Sequence, residues 1–206
     1  MAGRSKRATR QPDITVRRAW DKELKPFNSQ ITLAEYDPEW LGYTTETERM
    51  RRVLGPRALQ VEHIGSTSIP GLVAKPIIDI LLVVADSSDE PSYVPALEAA
   101  GYKLTIREPD WHQHRLFKGP DTNINLHVFT IGSTEIVRVL VLRDWLRNNA
   151  SDRNLHAKAK RELARQTWRY VQNYADAKSR GIEGIISGQL RQRENLSTYQ
   201  FLYLYS

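Results

Sequence analysis

A strand-like run ending in Gly65-Ser66, a loop, and an apolar run carrying Asp79 are the residues here whose types and spacing could do chemistry. Glycine lets a backbone approach a ligand and expose its N–H groups, and a serine hydroxyl adds a donor. Such donors suit phosphate oxygens. A carboxylate on the following strand could hold Mg²⁺, which bridges phosphates and neutralises charge as it develops. Lys75, in the connecting loop, could add a cation. This is the plan of a nucleotidyl- or phosphoryl-transfer site, in which a protein mainly positions groups and supplies electrostatics.

Other residues can complete such a site. Asn123, Asn125 and His127 alternate with Ile124, Leu126 and Val128, so they share one face of a strand. His127 is the best candidate there for a metal ligand or an acid/base group. Arg115 is a candidate phosphate contact. His63 falls on the same side of its strand as Leu59 and Val61, and reads either as a site residue or as a satisfied core histidine. Each candidate also has a plain structural reading. Gly65, Ser66 and Thr67 could be a strand-ending turn, Lys75 an exposed loop lysine, and Asp79 a carboxylate tied to the loop's backbone. Asp79 cannot be left alone inside an apolar run, because burying an unpaired carboxylate is costly. Trp111-His112-Gln113-His114 offers two histidines but no third ligand type beside them, short of what a structural zinc wants. Arg143 and Asp144 read as a solvated or interhelical pair.

The elements that must position these residues are legible. Asp37-Pro38-Glu39 reads as a helix start, with Trp40, Tyr43, Thr47, Met50 and Leu54 on one face and Gly55-Pro56 as the stop. Leu59 to Ile64 reads as a strand. Ile77 to Val84 is β-branched and nearly all apolar, the mark of a strand buried on both faces. A helix over Pro91–Ala100 and strands near Lys103–Arg107, Arg115–Lys118 and Asn123–Thr130 follow. Two helices come last, Ser133 to Asn148 and Ser151 to about Lys178, the second with Leu155, Ala159, Leu163, Tyr170 and Tyr174 inward. This order predicts an α+β fold with helices packed mainly on one side of a mixed sheet.

Composition narrows the classes. The 206 residues suit one domain with tails, and there is no cysteine, which removes disulfides, thiolate catalysis and cysteine-ligated zinc. No run of about 18 apolar residues could span a bilayer. The basic first ten residues lack the apolar stretch of a secretory signal, so a cytoplasmic address is expected. Residues 1–30 hold eight basic and three acidic side chains, a net +5 of the chain's +6. They read as a disordered, solvated tail, with a localisation signal or nucleic-acid tether as the sharper alternative. The nearly neutral remainder suggests no nucleic-acid face of its own. Residues 31–188 form the expected domain. Residues 189–206 read as a tail that could dock as a strand, contact a partner or stay unordered, and oligomeric state is open.

The run Glu62-His63-Ile64-Gly65-Ser66-Thr67-Ser68-Ile69-Pro70-Gly71-Leu72, followed by Ala74-Lys75-Pro76-Ile77-Ile78-Asp79-Ile80, resembles the signature of the GrpB-like proteins. Tyr36-Asp37-Pro38-Glu39-Trp40, Gly101-Tyr102, Arg115-Leu116-Phe117, Leu126-His127-Val128 and Leu142-Arg143-Asp144-Trp145-Leu146-Arg147 match in order. The resemblance spans roughly residues 31–180 and implies a nucleotidyltransferase-superfamily fold. It implies a reaction less firmly, since such proteins occur alone or fused to a coenzyme A biosynthesis kinase. Nucleotidyltransferases commonly place two carboxylates at i and i+2 on the strand after Gly-Ser. Here Ile77 and Leu81 flank Asp79 at that spacing, a single-Asp pattern that GrpB-like sequences share. Where they often carry a further histidine, this chain has Asn125.

Three expectations follow. The first is a transferase that moves a nucleotidyl or phosphoryl group from a nucleoside triphosphate to a small molecule with Mg²⁺, using Asp79 and His127 as catalytic and metal-binding residues. Gly65, Ser66, Thr67, Lys75, His63 and Arg115 would then bind the substrate. The second is a non-catalytic module that holds a nucleotide or phosphorylated metabolite. The third is a nucleic-acid contact made through the basic tail.

Overall fold

The computed structural model describes residues 28–38, 42–121, 123–170, 173–175 and 177–178. The expected tails, residues 1–30 and 189–206, fall almost wholly outside them, as does Trp40. Strands β1 (Gln60–Ile64), β2 (Ile78–Val84), β3 (Lys103–Glu108), β4 (His114–Lys118) and β5 (Ile124–Thr130) form one sheet. Its order is β1-β2-β5-β4-β3, with β2 and β5 parallel and the other neighbours antiparallel. The fold is therefore α+β around a mixed sheet.

The apolar run behaves as its composition requires. β2 is paired on both sides, and it is buried from Ile80 to Val84. Ile80, Leu82 and Val84 face one way, into the larger core, with Met50 and Leu54 of α1 (Gly42–Leu54) and Val94 and Leu97 of α2 (Val94–Ala99). Leu81, Val83 and Phe129 face the other way, under Ile136 of α3 (Thr134–Asn148). The larger core thus lies on the side of α1 and α2, and α3 closes a smaller core on the other. Removing apolar surface from water at about 25 cal/mol per Å² is what holds both layers.

The described part of α1 is Gly42–Leu54, and the expected helix start at Asp37-Pro38-Glu39 lies partly outside the described residues. One helix boundary differs from the sequence reading. The long last helix is interrupted: α4 runs Ala150–Ala164 and stops where Trp168 bridges Ser29 through Trp168 N–H to Ser29 O at 3.0 Å. Its buried face is also turned from the one expected. His156, Ala157, Lys160 and Ala164 are buried, and Leu155 is exposed. The reason is the loop beneath it. Ala157 packs with Leu72 and Val73, and the Lys160 ammonium donates to Val73 O. Among the described residues, no helix is long and apolar enough to cross a membrane.

Candidate phosphate site at the start of the parallel strands

Gly65 follows β1 in a conformation (φ 69°, ψ −171°) that only glycine adopts readily. The loop after it is pinned. Ser68 Oγ donates to Gly65 O at 2.7 Å and Thr67 Oγ1 donates to Ile77 O at 3.2 Å. From α3, Arg147 Nε donates to Ser68 O at 2.9 Å, while Arg143 donates to Glu62 Oε2 at 2.8 Å and to His63 O at 3.1 Å. Arg143 therefore ties α3 to β1. Of the loop's three hydroxyls, those of Thr67 and Ser68 bond within the segment itself, and the Ser66 hydroxyl has no hydrogen-bond partner among the described residues.

Asp79 stands one residue into β2, opposite Ile64, with Oδ2 against Gly65. Asn125 Nδ2 donates to its Oδ1 at 2.7 Å, and His127 Nε2 lies 3.6 Å from the same oxygen. The side chains of Asp79 and His127 keep about a quarter of their surface open, 28% and 27%, so a ligand can reach both. Burial works against the charged form of Asp79. The His127 imidazole, the Asn125 amide and the Lys178 charge together outweigh it and hold the carboxyl below its ordinary value.

Cations gather around this single carboxylate. Lys118 donates to Asn125 Oδ1, so the Asn125 amide bridges Lys118 and Asp79. Lys75 lies over the Tyr174 ring, 5.8 Å from its centre. Burial lowers the pKa of Lys75; Lys178 and Lys118 add to the effect and Asp79 opposes it. Burial also lowers Lys160, to about 7, with Lys178 and Lys75 pushing the same way and Asp79 again opposing. Lysines so placed repel one another, with Asp79 as the acid that opposes them, the condition that an anionic ligand relieves further.

The sequence candidates divide cleanly. The fold brings together Gly65, Ser66, Lys75, Asp79 and His127. His63 pairs with Ile80 and so lies on the opposite face of the sheet from Asp79. There it meets Thr67 Oγ1 at 3.0 Å and stacks on Tyr43 with centroids 4.8 Å apart. Arg115 pairs with Val128, also on that opposite face, and is committed to Glu90 at 2.6 Å and to Gln113 O at 2.9 Å. Thr67 is buried and already bonded. Lys118, Lys160 and Lys178 were not singled out as site residues from sequence, Asn125 was noted only as sharing a face with His127, and His114 was weighed only as half of a histidine pair. Only strand register and the return of the last helical residues bring them near Asp79.

For magnesium the donor set is thin. Among the described residues, no group of three or more His, Asp or Glu side chains could share an ion. Asp79 Oδ1 is taken by Asn125, which leaves Oδ2. His127, a nitrogen donor, suits magnesium poorly. At the other end of the sheet, where β2 and β5 finish, a shallow concavity of about 490 Å³ is lined by Asp86, His112, Thr130 and Ser133 among others. It contains no lysine or arginine and gives a phosphate no charge to meet.

Residues 30–187 match the family described as GrpB protein. A UPF0157 protein of Halalkalibacterium halodurans is 59% identical over 88% of this chain and 94% of its own length. The crystal structure of conserved protein GrpB from Enterococcus faecalis superposes with a TM-score of 0.61 at 27% identity, over 75% of this chain and 99% of that one. A looser likeness, TM-score 0.45 at 12% identity over 65% of this chain and 44% of the other, joins it to the Cid1 poly(U) polymerase. Similarity that slight carries no chemistry across.

Proposed function

The chain belongs to the GrpB protein family, and from that footing we propose that it binds the phosphates of a nucleoside triphosphate and transfers a nucleotidyl or phosphoryl group to a small molecule. The observation that carries this reading is the set of lysines, Lys75, Lys118, Lys160 and Lys178, coupled to one another or to Asp79 beside the Gly65-Ser66 turn. Three or more negative charges on a ligand would neutralise that excess, which a single carboxylate does not. Ser66 would donate to a phosphate oxygen, and Lys118 and Lys178 would bind as point charges. A magnesium ion arriving with the phosphates would find Asp79 Oδ2 as a carboxylate ligand among the described residues and would neutralise charge in the transition state. The chain's own residues orient the phosphates against Gly65 and hold His127 beside the place where an acceptor hydroxyl would stand.

A second reading keeps the binding and drops the reaction. The lone Asp79, with Ile77 and Leu81 where a second acid would be, favours it. Turnover separates the two readings. Acceptor-dependent release of pyrophosphate or a nucleoside diphosphate from a nucleoside triphosphate, lost in Asp79→Asn while binding persists, supports transfer. Binding with no turnover across a broad panel of small hydroxyl and amine acceptors supports the module.

A further inference from the structure

We propose that Arg143 and Arg147 of α3 are positioning residues for the phosphate turn, holding it by one carbonyl on each side of Gly65-Ser66-Thr67, a role that rests on the binding reading above and on no transfer step. Arg143 Nη1 donates to His63 O at 3.1 Å, ahead of the turn, and Arg147 Nε donates to Ser68 O at 2.9 Å, behind it. The two arginines stand at i and i+4 and so project from one face of the helix. That face meets the side of the sheet that carries Asp79. Glu62, which accepts from Arg143 Nη1 at 2.8 Å, pairs with Leu81, two residues along β2 from Asp79. Leu81 and Asp79 therefore share a face, the one that α3 covers.

As neighbours on the helix the two arginines repel each other. Burial and the Arg143 charge lower the pKa of Arg147, against the pull of Asp144, Glu62 and Tyr36. Asp144 offsets part of the repulsion, with Oδ1 2.8 Å from Arg143 Nε and 3.7 Å from Arg147 Nη1. What the pair supplies in return is two charge-assisted hydrogen bonds to loop carbonyls, each stronger than a bond between neutral groups. The turn needs such anchors, because its own backbone bonds are long. Ser68 N–H reaches Gly65 O and Ile69 N–H reaches Ser66 O, both at 3.3 Å, just beyond the usual range. Gly65, at φ 69°, is also the residue type that loses most freedom when its conformation is fixed.

The consequence for binding is preorganisation. A turn held before the ligand arrives loses less freedom on binding, so affinity rises with no added contact to the ligand. Held between His63 O and Ser68 O, the turn keeps Gly65 against Asp79 Oδ2 and fixes where the Ser66 hydroxyl stands. The arginines act through the turn, while the lysines around Asp79 supply the charge that meets the phosphates. Arg147 is the member to replace. Its side chain is 36% exposed against 11% for Arg143, and it carries no bond to Glu62, so its loss disturbs the α3–β1 contact least.

Two measurements on the full chain test this. The first is NMR without ligand. In Arg147→Met, which keeps an apolar stem and removes the donor, the Gly65, Ser66 and Thr67 amide signals should shift or broaden while those of Leu81, Leu82 and Val83 stay in place. Unchanged turn signals in the folded variant overturn the positioning role. In the native chain the Arg147 Nε–H should exchange with water more slowly than an unbonded arginine N–H, and fast exchange overturns the role even if no variant folds. The second is calorimetric titration with pyrophosphate. Arg147→Met and Ser66→Ala should each weaken binding roughly tenfold, the worth of about one hydrogen bond. The double variant should lose little more than either alone, because the arginine acts through the turn. The salt dependence of binding should be the same in Arg147→Met as in the native chain. Additive losses, or a weaker salt dependence in Arg147→Met, overturn positioning and make Arg147 a direct phosphate contact. Absence of pyrophosphate binding by the native chain is a different result, one that overturns the function proposed above.

Discussion

A Cβ placed on Gly65 would sit 2.5 Å from Oδ2 of Asp79. The turn that presents Ser66 and the carboxylate on the next strand are thus built against each other. The space that a side chain at Gly65 would fill is the space that Asp79 occupies. Glycine is required twice over at this point, by its positive φ and by this approach.

Gly65→Ala should cost about 1–3 kcal/mol from backbone strain alone, with more from the clash. Denaturant unfolding reads this directly. Adding Asp79→Ala should recover the part due to the clash and leave the strain. A double-mutant cycle should then show coupling of roughly 0.5–3 kcal/mol. Strictly additive effects would mean that the two residues do not share the space described.

Lys160 should make stability rise with pH. Its folded pKa is near 7 and its unfolded value near 10.5, so the unfolded chain binds more protons between the two. Stability therefore increases as pH climbs through that window, and the full cost is borne below it. Lys160→Met should remove this increment from unfolding curves measured across the same range. For the same reason, an anion bound near pH 7 should take up protons, which calorimetry in buffers of different ionisation enthalpy detects.

His63 and His156 should extend the same trend to acid pH. Burial, aided by Arg147 and Arg143 and opposed by Asp79, pushes His63 down to about 4. Burial, with Lys160 and Lys178, pushes His156 to about 3. Both fold neutral, so stability should fall as pH drops from 6.5 toward those values. His63→Gln, which can still bond Thr67, should flatten part of this acid trend and leave anion affinity unchanged. A large loss of affinity would return His63 to the site.

The strands and most helices were legible because their patterns are local. The apolar run of β2 and the alternation of Asn123, Asn125 and His127 each report a face without knowledge of neighbours. What was hidden depends on register. Nothing local says that His127 lies within 3.1 Å of His114 Nε2, since that follows from Arg115 pairing with Val128. Arg115 and His63 looked available because a charged or polar side chain in a strand does not reveal which face its partners occupy. Lys160 escaped notice because a helical lysine reads as solvent-facing. Its burial became visible only with the Ile69–Val73 loop beneath α4.

The proposed role of the lysines around Asp79 is to hold a ligand's phosphates. Calorimetric titration with nucleoside triphosphates and with pyrophosphate, in magnesium and again in chelator, tests it most directly, run beside Lys118→Gln, Lys178→Gln and Asp79→Asn. Binding should persist in chelator, weaken as salt is raised and weaken in both lysine variants. No binding of any of these ligands in either condition, or affinity indifferent to both lysine replacements, would contradict it.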